Sequence, residues 1–121
     1  MPVLGTCAGM ILMARDIQDG RSDQESLKLM DITVRRNAYG RQIDSFEAEV
    51  ESAAIGGAGH AVFIRAPQVM EKAADVQELA SHAGQSVAVR QGNRLALAFH
   101  PELTPDRRWH QYFLSLDGEA R

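Results

Sequence analysis

One cysteine, Cys7, occurs in the 121 residues, and it sits where a strand-to-helix turn would expose a nucleophile. Val3 and Leu4 lead into Gly5-Thr6-Cys7-Ala8-Gly9, and from Met10 the apolar residues recur at helical spacing. That order predicts strand, sharp turn, helix. A side chain in such a turn is lifted clear of the strand and stands beside the first free N–H groups of the helix, where positive potential favours a thiolate. Gly5 and Gly9 let the backbone bend and a substrate approach closely, and the Ala8 amide can point toward a developing oxyanion. Cys7 is therefore a candidate nucleophile. A lone cysteine among small residues also admits a plainer reading, as a small buried hydrophobe.

The matching base stands near the other end of the chain, in His100-Pro101-Glu102. Proline biases the residue before it toward an extended backbone, and extended residues two apart point to the same side. His100 and Glu102 can thus couple. A carboxylate beside an imidazole fixes its tautomer and stabilises the imidazolium, which a general base acting on a thiol requires. The alternative is a structural histidine with its hydrogen bonds satisfied. Two arginines, Arg36 and Arg65, fall at predicted strand ends, and a guanidinium turned into a cleft there needs an anionic partner. Each is also compatible with a structural ion pair or a snorkelling surface side chain.

The elements that must position these groups can be read in chain order. Met10, Met13, Ala14 and Ile17 share a face, predicting a helix of about three turns, with a loop from Asp19-Gly20 to Ser26. Leu27 to Arg36 alternates, with Met30, Ile32 and Val34 on one side and Asp31, Thr33 and Arg35 on the other, as in a half-buried strand. Asn37 to Gly40 forms a turn. Asp44 to Glu51 alternates more cleanly, with Phe46, Ala48 and Val50 inward and an acidic row outward. Gly56-Gly57-Ala58-Gly59 lacks a following Lys-Ser/Thr, and reads as a flexible connection instead of a phosphate loop. His60 to Arg65 reads as strand, Gln68 to Ala74 as a helical turn, and Val76 to Ala80 as strand. Ser86–Arg90 and Leu95–Phe99 bracket a hairpin at Gln91-Gly92-Asn93-Arg94. The second of these has no polar face and is expected to be central and buried, delivering His100 at its end, where open α/β sheets bind ligands. Thr104-Pro105-Asp106 opens a last helix with Trp109, Tyr112, Phe113 and Leu116 as its apolar stripe.

Composition narrows the classes. The length suits one domain with a real core, and 45% apolar content makes it globular. A net charge of −3 argues against bulk binding of nucleic acid or anionic membranes. One cysteine cannot form an internal disulfide, and no apolar run is long enough to span a bilayer, so a cytoplasmic location is expected. His60, His82 and His110 are scattered, and neither Cys-x-x-Cys nor His-Glu-x-x-His occurs, so no metal site is expected.

The order Cys, His, Glu resembles the class I triad glutamine amidotransferases. Gly-Thr-Cys-Ala-Gly-Met-Ile-Leu at 5–12, Met-Asp-Ile-Thr-Val-Arg-Arg-Asn-Ala-Tyr-Gly-Arg-Gln at 30–42, Asp-Ser-Phe-Glu at 44–47, Val-Phe-Ile-Arg-Ala-Pro at 62–67 and Ala-Phe-His-Pro-Glu-Leu-Thr at 98–104 are similar, more narrowly, to the glutaminase subunits of pyridoxal 5′-phosphate synthases. The resemblance implies an α/β, flavodoxin-like three-layer domain with a central, mostly parallel sheet. It implies that Cys7 attacks the side-chain amide of L-glutamine, that His100 shuttles the proton and Glu102 orients it, and that the Ala8 backbone amide serves the oxyanion. By the same match Arg36, Ile64 and Arg65 line the glutamine site, and the ammonia passes to a separate barrel-fold synthase subunit. No cofactor is implied for this chain, because pyridoxal 5′-phosphate would be the product of the assembly. Family members carry strands and helices before the nucleophile, including a Gly-Gly-Glu-Ser stretch that supplies an oxyanion amide. The expectation is thus one glutamine amidotransferase domain over residues 1–121 with its N-terminal strands missing. A silent chain keeping only binding surfaces, or another thiol hydrolase such as a γ-glutamyl hydrolase, are the other readings.

Overall fold

The computed structural model of the protein describes residues 2–18, 26–35 and 45–119. β1 (Val3–Thr6) passes through Cys7 directly into α1 (Ala8–Met13). Here the structure corrects the expected three-turn helix. At Ala14 the backbone turns extended, with φ −68° and ψ 149°, and β2 (Ala14–Gln18) begins. Asp16, Ile17 and Gln18 pair in parallel with Thr33, Val34 and Arg35 of β3 (Met30–Arg35). The Met10, Met13, Ala14, Ile17 spacing is helical, but a ladder to β3 supplies partners for the β2 backbone that local periodicity cannot foresee.

β4 (Ser45–Ser52) and β5 (Gly57–Ile64) form an antiparallel pair joined by a 3₁₀ turn at Ala53–Ile55. The predicted alternation holds from Ser45 onward: Val50 is buried and Phe46 and Ala48 half-buried, while Glu47, Glu49 and Glu51 are exposed. The Gly56–Gly59 stretch is a second correction. Gly57 and Gly59 are strand residues paired with Ser52 and Val50, not a flexible connection. Gly59 is bare because a β-carbon there would lie 3.1 Å from both Ile55 Cδ1 and Asp106 Oδ2.

β6 (Gln68–Lys72) replaces the helical turn expected over Gln68–Ala74. It runs antiparallel to β3 and sets Val69 opposite Val34. With β2 on one edge and β6 on the other, β3 is enclosed, and even Thr33 is buried. β7 (Gln77–His82), β8 (Gln85–Gln91) and β9 (Arg94–Leu97) complete the strands, in the order β1-β9-β8-β7. The hairpin expected at Gln91–Arg94 is present, and Leu95 to Phe99 are essentially fully buried, as their all-apolar sequence requires. The α/β class holds, with one qualification on pairing. Among the described strands only β1–β9 and β2–β3 are parallel, so the two larger sheets are mixed and the β4–β5 pair is antiparallel, instead of mostly parallel.

α2 (Arg108–Glu119) closes the described chain, with Trp109 and Leu116 buried. Its start is fixed by Asp106, whose carboxylate accepts from the Arg108 amide at 2.9 Å and from the Arg108 guanidinium at 2.7 Å. An aromatic ladder ties this helix to the site strands. Phe99 lies edge-on to Phe63 of β5 and to Trp109, each with ring centroids 5.6 Å apart. Such contacts are worth about 0.5–1.5 kcal/mol each beyond area burial. Residues 19–25 of the loop predicted from Asp19 to Ser26, Arg36 and the Asn37–Gly40 turn lie outside the described residues. Among those described, no helix is long and apolar enough to cross a membrane.

Asp106→Ala is expected to destabilise the fold by about 1 kcal/mol through loss of the helix cap. The Arg108 side chain and amide hold the Asp106 carboxyl below its ordinary value. The stabilisation is therefore full above the usual carboxylate range and lost as pH falls through the folded value. Denaturant unfolding at pH 7 and pH 3 checks this, with the variant and the parent converging at the lower pH.

Candidate active site

Cys7 holds φ 52° and ψ −105°. A positive φ in a residue bearing a β-carbon costs on the order of 1–3 kcal/mol and persists only where the surroundings enforce it. They do so here by several hydrogen bonds. The Cys7 amide donates to the Leu97 carbonyl at 2.7 Å, and the Cys7 carbonyl accepts from the Met10 amide at 3.0 Å. Beneath the turn, Gly5 lets α1 sit directly on β1, since a β-carbon there would lie 2.7 Å from the Gly9 carbonyl oxygen and also meet the Met13 sulfur. Gly9 has a different reason: a β-carbon there would meet nothing within 4 Å, so the space before it is open.

His100 follows Ala98 and Phe99, which carry the chain on from the end of β9, and it is held by its main chain as well, its amide donating to the Val62 carbonyl at 2.8 Å. Its backbone is extended, with φ −106° and ψ 91°, as Pro101 requires. Pro101–Leu103 then forms a 3₁₀ turn, and His100 Nδ1 still meets Glu102 Oε2 at 2.7 Å. A carboxylate on Nδ1 makes that nitrogen the proton carrier of the neutral ring and leaves Nε2 as the acceptor.

Cys7 Sγ donates to the Ile64 carbonyl at 3.1 Å. Val62 and Ile64 are two apart on β5, so their carbonyls leave the same edge of the strand. Because Val62 reaches His100, that edge faces away from β4, and the Ile64 carbonyl projects toward the nucleophile. The end of β9 and the outer edge of β5 thus hold both Cys7 and His100.

The electrostatics depart from the sequence expectation in one respect. Burial pushes the Cys7 thiol up, the Ala8 amide pulls it down, and the charge of Glu102 adds to the rise, with a net upward result. Burial thus outweighs the hydrogen bond that the Ala8 amide offers the sulfur, and the thiol form is favoured at rest. For Glu102, partial burial works upward but is outweighed by its backbone amide, the His100 hydrogen bond and the charges of His100 and His110, so its carboxyl lies below the ordinary value.

Cys7, Ile64, His100 and Glu102 are therefore gathered in one place, and the Ala8 amide faces the Cys7 sulfur. Arg65 follows Ile64 with φ 46°. Arg36 lies outside the described residues. Sequence reasoning missed the Leu97, Val62 and Ile64 carbonyls, since main-chain acceptors leave no mark on residue type. His110, read from the sequence only as one of the scattered histidines, shares with Glu102, Asp106 and Arg107 the lining of a cavity of about 400 Å³. Among the described residues no group of three or more His, Cys, Asp or Glu is placed to hold a metal ion.

Two outcomes are expected. The rate of Cys7 alkylation by iodoacetamide, followed against pH, should show a midpoint above that of an unperturbed cysteine. Gly5→Ala should destabilise the fold by about 1–3 kcal/mol, because neither strand nor helix can yield without backbone movement, whereas Gly9→Ala should be nearly neutral in the same unfolding measurement.

Comparison with known proteins is consistent across sequence and structure. The model of the SNO glutamine amidotransferase family matches residues 1–116. The chain is similar to the pyridoxal 5′-phosphate synthase subunit PdxT of Mycobacteroides abscessus, with 57% identity over 116 residues covering 96% of this chain and 60% of that protein. The subunit of the same name from Herpetosiphon aurantiacus is 57% identical over 119 residues, covering 96% and 63%. A solved structure described as a glutamine amidotransferase superposes with a TM-score of 0.90 and 46% identity, over 97% of this chain and 61% of the other. A putative GMP synthase protein from Thermoplasma acidophilum, with a TM-score of 0.65 and 17% identity over 98% of this chain and 58% of its own, shares the fold alone. The chain spans about three fifths of the length of the curated relatives it matches.

Proposed function

The chain belongs to the SNO glutamine amidotransferase family, and on that premise we propose that it acts as a glutaminase, releasing ammonia and L-glutamate from L-glutamine through a thioester on Cys7. The observation that carries this reading is the strained Cys7 turn, pinned to the strand that leads on to the coupled His100 and Glu102. A positive-φ cysteine at a strand-to-helix turn is costly to hold, and a nucleophile is the reason chemistry offers for holding it.

In this mechanism His100 Nε2 takes the Cys7 proton as the sulfur attacks the carboxamide carbon. Negative charge collects on the carboxamide oxygen, and the Ala8 amide is the donor on this chain that meets it. His100 then returns the proton to the departing ammonia. Water, deprotonated by the same imidazole, opens the thioester and frees glutamate. Glu102 stays ionised throughout, holding the ring in its productive tautomer and stabilising the imidazolium. Arg36 and Arg65 supply cationic partners for the α-carboxylate of the free amino acid, and Ile64 lines the same site. The reaction needs no cofactor, because bond cleavage is by nucleophile and acid–base chemistry alone.

The partner in this reading is a barrel-fold synthase subunit that receives the ammonia; in support, the relatives are named as subunits of pyridoxal 5′-phosphate synthase. A net charge of −3 gives no basic footprint for nucleic acid. A cytoplasmic location suits such a metabolic role.

The test is glutamate release from L-glutamine by this chain together with the cognate synthase subunit. Cys7→Ala should abolish release, and Glu102→Gln should lower kcat by about 10²–10⁴-fold, the usual weight of acid–base catalysis. Equal background from parent and Cys7→Ala would overturn the reading.

A further inference from the structure

Among the described residues the Cys7 thiol makes no hydrogen bond to its base. Its hydrogen bond goes to the Ile64 carbonyl at 3.1 Å, while the one hydrogen bond of the His100 ring among the described residues is to Glu102 through Nδ1. That carbonyl belongs to the peptide joining Ile64 to Arg65, and Arg65 carries φ 46°, a left-handed value for a residue with a β-carbon. The acceptor that holds the thiol and the strained residue are the two halves of one peptide unit.

We propose that Arg65 is a positioning residue for the nucleophile, and that its main chain sets whether the Cys7 thiol rests on the Ile64 carbonyl or is released toward His100. A half-turn of the Ile64–Arg65 peptide carries φ at Arg65 out of the left-handed region into the extended one, and so relieves the strain. The same rotation removes the carbonyl from the sulfur. In a trans peptide the N–H points opposite to the C=O, so the Arg65 amide then takes the place the carbonyl left, as a donor instead of an acceptor. The held position stabilises a thiol, and the released one favours a thiolate or an oxyanion.

The β4–β5 ladder does not oppose this movement. The Ile64 carbonyl leaves the edge of β5 that faces away from β4, so the β4–β5 ladder does not fix it. Ile64 is the last residue of its strand and is 39% exposed. The strain at Arg65 keeps the held position shallow, so binding of a substrate can tip it.

The proposal rests on Cys7 being the nucleophile, but its experiment uses no substrate. Alkylation of Cys7 by iodoacetamide is followed against pH in the full chain for Arg65→Ala and Arg65→Gly, which both lack the guanidinium and differ only in the β-carbon. Glycine accepts the left-handed conformation without strain, so the held position deepens. Arg65→Gly is expected to react about five-fold more slowly than Arg65→Ala, as removal of a left-handed penalty of this kind implies, with its pH midpoint displaced upward. Equal rates and midpoints in the two variants overturn the proposal. So does faster reaction of Arg65→Gly, which is what local unfolding around the cysteine would produce. Failure of glutamine hydrolysis by the parent would remove the glutaminase reading and leave this ratio unchanged, so the two failures are told apart.

Discussion

The 2.7 Å hydrogen bond from the Cys7 amide to the Leu97 carbonyl is the constraint on which the site depends. It extends the β1–β9 ladder by one step past Thr6 and Leu97, at the point where the chain leaves the strand for α1. Together with the bonds from α1 to the Cys7 carbonyl, it holds Cys7 at a positive φ. With it, the nucleophile turn is placed in register with the strand that runs on through Ala98 and Phe99 to His100. Two segments separated by most of the chain thus meet through one parallel pairing, which is the economy of setting reactive groups at adjacent strand ends.

A second set of contacts decides how His100 presents itself. Its amide is tied to Val62 of β5, and the residue before it, Phe99, is wedged between Phe63 and Trp109. Alternation along β5 sends the Phe63 ring into the core while the Val62 and Ile64 carbonyls leave along the strand edge. One short strand therefore contributes packing through its side chains and positioning through its backbone. Gly59, farther up the same strand, allows Asp106 and Arg108 to come down onto β5, so the start of α2 is anchored to the element that holds the site.

How much of this could be read beforehand depends on where the information lies. The turn at Cys7, the coupled His100 and Glu102, the buried Leu95–Phe99 strand and the Gln91–Arg94 hairpin were legible because each is a local pattern of residue types. The strands over Ala14–Gln18 and Gln68–Lys72 were not. Their sequences fit a helix as well as a strand, and what settles them is β3, whose two edges they cover. Periodicity reports which face is apolar and says nothing about which distant strand completes a ladder. The site followed the same division. The side chains were found from their types, whereas the Leu97, Val62 and Ile64 carbonyls, which every residue could supply, came only from topology.

The raised thiol of Cys7 bears on how such a site should work. A thiolate at rest would be reactive toward any electrophile that reached it. Burial makes the proton harder to lose, and the charge of Glu102 works in the same direction. Glu102 nonetheless stabilises the imidazolium that forms when His100 accepts that proton. The same carboxylate thus disfavours the free thiolate and favours the thiolate–imidazolium pair. Ionisation becomes conditional on His100 and sulfur meeting, so reactivity follows alignment of the groups more than the acidity of the cysteine alone.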